Sequence, residues 1–135
     1  MAEDKRKHLE FIQNVITRMN SNSFLIKGWA VTLTSALFAL AAKDSNVQYV
    51  IVTYISIPVF WGLDGYYLSL ERQYRELYLD VAGKDEDAID YSMDASSHNK
   101  GRNTWLSSVF LGTVWGVYVT IIVITAFIMY IFHKS

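Results

Sequence analysis

Apolar positions along the chain fall into three long blocks, Phe24 to Ala42, Val47 to Leu63 and Trp105 to Phe132, separated by strongly polar stretches. A helix of roughly 20 apolar residues crosses a hydrocarbon core about 30 Å thick, and about 17 to 25 is the working range. The first and third blocks meet that requirement comfortably. The second is marginal, because Pro58 interrupts it. The pattern therefore predicts an all-α integral membrane protein with three transmembrane helices, the first two joined at Lys43 to Asn46 as a tight helical hairpin.

Outside these blocks the periodicity changes to that of amphipathic helices. Leu63, Tyr67, Leu70, Tyr74, Leu77 and Val81 recur at alternating steps of four and three, the seam of a coiled-coil-like helix. The second transmembrane helix is thus expected to continue into the cytoplasm to about Val81, with Gly83 as its stop. Glu71 with Arg75, and Arg72 with Glu76, add i,i+4 pairs on its other faces. Near the N-terminus, Leu9, Ile12, Ile16 and Met19 recur at three, four and three, which predicts an amphipathic helix from Asp4 to about Met19. Asn20 to Ser23 should then break the chain before the first span. This helix can pack on the cytoplasmic extension or lie among lipid headgroups. Packing is the preferred expectation, because both apolar stripes would otherwise face water. The resulting segments are residues 1–23 (amphipathic helix), 24–63 (transmembrane hairpin), 64–104 (helical extension and acidic loop) and 105–135 (third transmembrane helix).

Charge supplies the orientation. Lys5, Arg6, Lys7, Arg18 and Lys27 lie at or before the first span, and Arg72, Arg75, Lys84, Lys100 and Arg102 lie between the second and third. Only Lys43 and Lys134 fall on the other side, so the positive-inside rule places the N-terminus in the cytoplasm and the C-terminus outside. The first apolar run begins too late and lacks the small-residue pattern of a cleaved signal. A formal net charge of −1 gives no basis for nucleic-acid binding, and the absence of cysteine excludes disulfides. Counting from the hairpin turn, Lys27 and Asp64 fall at the same depth near the cytoplasmic interface, where the two can form an ion pair. Alternatively, Lys27 reaches lipid phosphates and Asp64 merely ends the apolar run.

In the third block Ser108, Gly112, Gly116 and Thr120 recur at i+4, a small-residue stripe suited to close helix packing, within the chain or between subunits. Thr32, Thr34 and Ser35 on the first span, or Ser108, Thr113 and Thr120 on the third, are candidates to line a pore. Hydroxyls in membrane helices also commonly bond their own backbone. The acidic stretch between Gly83 and Arg102 lacks the glycine and glutamate of a calcium loop and reads as a solvated loop with at most a short helix. No metal site, cofactor or catalytic constellation is recognisable, so an enzyme is not expected.

The strings beginning at Asn22 (NSFLIKGWAVTL), Phe60 (FWGLDGYYL), Glu71 (ERQYRELY) and Tyr91 (YSMD) resemble a widespread group of small bacterial inner-membrane proteins, mostly of unknown function. More distantly, a cytoplasmic helix followed by two close spans and a helical extension looks like the RipA-type octameric membrane proteins and the SLATT effectors, the latter thought to form pores. That likeness implies a homo-oligomer in the bacterial inner membrane and no particular active residues. Two function classes follow: a gated ion-conducting or depolarising pore with cytoplasmic helices as sensor, and a non-conducting scaffold. Expected partners are further copies of the chain, membrane lipids, and a cytoplasmic protein or small-molecule trigger.

Overall fold

A computed structural model describes residues 2–134, which form four helices joined by turns, with no strand among them. The first helix, α1 (Ala2–Asp44), contains 43 residues and runs without interruption. At the helical rise that is about 64 Å, twice the thickness of a hydrocarbon core. The break expected at Asn20 to Ser23 does not occur. Asparagine and serine cost a helix only fractions of a kcal/mol, and a single buried stripe passes straight through them. His8, Ile12, Ile16, Ser23, Ile26, Ala30, Thr34 and Ala41 are all buried. Their steps of three, four and seven keep them on one side of a straight helix. The division between residues 1–23 and 24–63 is therefore absent, and the amphipathic helix and the first apolar block are one element.

The chain turns at Ser45, whose φ of 52° is in the left-handed region. Asn46 helps to close the turn: its side-chain oxygen accepts the Gln48 N–H at 3.0 Å. Helix α2 (Gln48–Ala82) then returns antiparallel along α1 for 35 residues, with Pro58 inside it. The proline removes one hydrogen bond but does not end the helix. Gly83 closes α2, donating its N–H to the Leu79 carbonyl at 3.1 Å. Lys5 of α1 caps the same end, with Nζ donating to the carbonyls of Ala82 at 3.2 Å and Lys84 at 2.8 Å. A cation there also complements the negative end of the helix dipole.

Two cores hold the hairpin. At the end remote from the turn, Ile12 and Ile16 pack on Leu77 and Val81, and Ile89 and Ala95 from the following connection cover them. That connection is therefore not a detached solvated loop. It folds onto the helix pair through three 3₁₀ turns at Glu86–Ala88, Ser96–His98 and Gly101–Asn103. The seam expected on α2 is buried only toward its far end: Leu77 and Val81 are buried and Tyr74 packs against the core, whereas Tyr67 and Leu70 are half-buried and Leu63 is exposed. Nearer the turn α2 presents a different face, Trp61, Asp64 and Gly65, because a third partner meets it there.

That partner is the third apolar block, which is not one helix. It forms α3 (Trp105–Val109) and α4 (Gly112–Lys134), broken at Phe110 and Leu111. Thr104 caps α3, accepting the Ser107 N–H at 3.3 Å. The break has a visible cause. Trp61 Nε1 donates to the Val109 carbonyl at 2.7 Å, the acceptor that a continuous helix would have offered to Thr113. The second core lies here, with Ala30 of α1, Ile57 of α2 and Val114, Tyr118 and Ile121 of α4 buried together. Helices α1 and α4 are each long and apolar enough to cross a membrane; α2, with Pro58 and Asp64, falls short of the same measure.

Candidate functional site

A polar network sits where α1, α2 and α4 converge. Asp64 of α2 is fully buried and its carboxylate accepts from three other side chains. Lys27 Nζ lies 2.7 Å from Oδ2, the Tyr118 hydroxyl donates to the same oxygen at 3.0 Å, and the Ser23 hydroxyl donates to Oδ1. Lys27 also donates to Ser23 Oγ at 2.9 Å. The structure thus brings Lys27 and Asp64 together and adds Ser23, expected instead in a helix break, and Tyr118, which the sequence reading did not single out.

Helical spacing positions these groups. Ser23 and Lys27 are one turn apart on α1, so both meet the same point on α2. Tyr118 is held by stacking on Trp61, with ring centroids 6.1 Å apart and planes 12° from parallel. Trp61 is fixed in turn by its bond to the Val109 carbonyl, and Trp105 Nε1 donates to the Gly62 carbonyl at 2.9 Å. At Gly65 the Val109 side chain of α3 comes so close that an added Cβ would lie 2.2 Å from its Cγ1. The string from Trp61 to Gly65 is accordingly a docking surface for α3 and α4.

A buried carboxylate is tolerable only if its charge is paired and its lone pairs are satisfied. Asp64 meets both conditions. Lys27, with 23% of its side chain exposed, retains a route to solvent. The network therefore clamps three helices at one level. Nothing in it resembles a paired-carboxylate or nucleophile arrangement, and no group of three His, Asp or Glu side chains suited to a metal occurs among the described residues.

Toward the turn, a groove of about 620 Å³ lies between α1 and α4. Thr34 and Ser35 line it from α1, and Gly112, Thr113, Gly116 and Thr120 from α4. Thr32 does not line it. Gly112 and Gly116 face open space, with nothing within 4 Å of an added Cβ. The stripe expected from Ser108 to Thr120 is thus divided: the helix break turns Ser108 away into a fully buried position on α3, and the other three line the groove. Thr120 donates its hydroxyl to the Gly116 carbonyl at 2.6 Å, the backbone bond common for such residues.

Farther out on α2, the Ser69 hydroxyl donates to the Asn103 carbonyl at 2.6 Å, and Gln73 Nε2 donates to Ser69 at 3.0 Å. These bonds hold the 3₁₀ turn containing Arg102 against α2, close to Arg72. Burial, and then the charge of Arg102, hold the Arg72 guanidinium below its usual value. Arg75 pairs with Glu71 at 2.7 Å, but the expected Arg72 with Glu76 pair does not form, and Arg72 Nη1 is buried without a hydrogen-bond partner. Comparison with protein-family models, with curated proteins and with solved structures finds no match for the chain.

Proposed function

We propose that the protein is a three-span, homo-oligomeric membrane protein that conducts ions through a path lined by the groove between α1 and α4. The observation carrying this reading is the convergence of Thr34, Ser35 and Thr113 from two different helices on one groove that the chain's own side chains leave unfilled. Hydroxyls and glycines in an otherwise apolar bundle suit either close helix packing or a polar lining, and a ring of copies joined along this groove uses both. In this arrangement α2 crosses beside α1 despite its proline and Asp64, because Lys27, Ser23 and Tyr118 neutralise and satisfy that carboxylate.

In this reading the N-terminus and the segment from Gly83 to Arg102 lie in the cytoplasm and the C-terminus outside, in a bacterial inner membrane, an orientation that the bias of the basic residues supports. The outer core of Ile12, Ile16, Leu77 and Val81 then forms a rigid cytoplasmic projection able to transmit a signal to the spans. The same projection supports a second reading, a non-conducting scaffold, because Phe11 and Leu79 remain exposed on it and could receive a partner. Native mass spectrometry of the particle extracted in mild detergent tests the assembly. Four or more copies are expected, whereas a monomer or dimer would remove the pore and leave the scaffold.

A further inference from the structure

Arg72 and Arg102 pose an electrostatic problem that the chain does not solve internally. The Ser69 and Gln73 bonds to Asn103 set Arg72 and Arg102 on two adjoining clefts that share Glu76 and Asn103, and no carboxylate pairs with either guanidinium among the described residues. Glu71 is committed to Arg75. Glu76 borders the clefts beside both arginines, of about 190 and 260 Å³, but forms no ion pair with them. Arg72 Nη1 is meanwhile out of water and without an acceptor. A buried donor on a cation next to a second cation is costly unless an anion completes it.

The position suggests where that anion comes from. Arg72 lies about 12 Å farther along α2 than Asp64, roughly 5 Å past a headgroup zone of about 5 to 7 Å per side, a gap that the reach of an arginine side chain covers. Trp105, which bonds the Gly62 carbonyl, is exposed together with Leu106 and Phe110 of the same stretch, an apolar belt at the level of Gly62. We propose that Arg72 and Arg102, with Lys100 beside them, bind a phosphate anion carried by the headgroup of an anionic phospholipid. The planar guanidinium fork is suited to two phosphate oxygens, and the exposed Arg102 presents it to the bilayer while the half-buried Arg72 adds its charge.

The inference rests on the membrane placement proposed above, and the two fail differently. A protein that does not enter nanodiscs refutes the placement, whereas one that enters them without headgroup preference refutes only the site. The test is lipid retention by the full-length protein, read by native mass spectrometry after mixing with phosphatidylglycerol or phosphatidylcholine. Retention of phosphatidylglycerol over phosphatidylcholine is expected, weakened about tenfold by Arg102→Gln and strengthened by Glu76→Gln, which removes the opposing charge. Arg102 is exposed, so its substitution spares the fold; Arg72→Gln should act in the same direction. Equal retention of the two lipids, or no effect of Arg102→Gln, would overturn the proposal. Displacement of the lipid by millimolar inorganic phosphate would overturn the lipid as the source.

Discussion

The unequal exposure of Lys27 and Asp64 predicts that losing the lysine costs more than neutralising the aspartate. Asp64 is fully buried and cannot move to water, whereas Lys27 is 23% exposed and can extend toward the interface. In Lys27→Met the carboxylate retains Ser23 and Tyr118 as donors but loses its countercharge, the situation in which breaking a buried pair costs about 3 to 5 kcal/mol. In Asp64→Asn the amide fills the same space and can bond both hydroxyls, which donate or accept as required. The freed lysine snorkels, so the cost should be about 1 to 3 kcal/mol. Lys27→Glu, with two carboxylates at one point, should be the worst of the three. Reversible unfolding in mixed micelles, followed by far-ultraviolet circular dichroism at pH 7, measures each variant. The reasoning fails if Asp64→Asn is the most damaging, or if all three lie within about 0.5 kcal/mol of the parent, the range of ordinary surface substitutions.

Other sites make equally direct predictions. Gly65→Ala places a methyl 2.2 Å from Val109 Cγ1 and 3.3 Å from its Cα, and should cost about 1 to 3 kcal/mol; thermal melts should show partial rescue by adding Val109→Ala. Gly28→Ala, with nothing within 4 Å, should instead be neutral or stabilise the helix by about 0.5 to 1 kcal/mol. Ile12→Ala opens a cavity in the outer core and should cost about 2 to 5 kcal/mol, with hydrogen exchange rising first in the N-terminal half of α1 and around Leu77 and Val81. Gly116→Leu should leave the melting of the isolated protomer unchanged but lower the mass of the assembled particle, because an added Cβ there meets nothing within 4 Å and opens onto the groove; an unchanged particle would remove α4 from the subunit contact.

The helical content and the level at which Lys27 meets Asp64 were legible because both depend on local repeats and on the fixed rise of a helix. A depth count from the turn needs no tertiary information. The partners of Asp64 were hidden for two physical reasons. Ser23 lies in a polar tetrad, Asn20 to Ser23, that suits a helix cap as well as a helix interior, and only the buried stripe on both sides decides between them. Tyr118 was hidden by the break at Phe110 and Leu111. On a straight helix it would lie about 20 Å from Trp105, yet Trp105 meets Gly62 and Tyr118 meets Asp64, neighbours on α2. The signal that could have exposed it is the tyrosine itself, since a phenol within an apolar span needs a polar partner. The small-residue stripe misled in the opposite way: its spacing presupposed a continuous helix, and the Trp61 bond to Val109 removes Ser108 from it.

The measurement that bears most directly on the central claim is ion flux from liposomes containing the purified full-length protein, with Gly116→Leu and Thr34→Val as companions. The account predicts dissipation of a potassium gradient by the parent protein, loss of flux when Gly116→Leu dissolves the assembly, and reduced flux when Thr34→Val strips a hydroxyl from the groove. A gradient held intact by a correctly assembled particle would contradict conduction through the groove between α1 and α4.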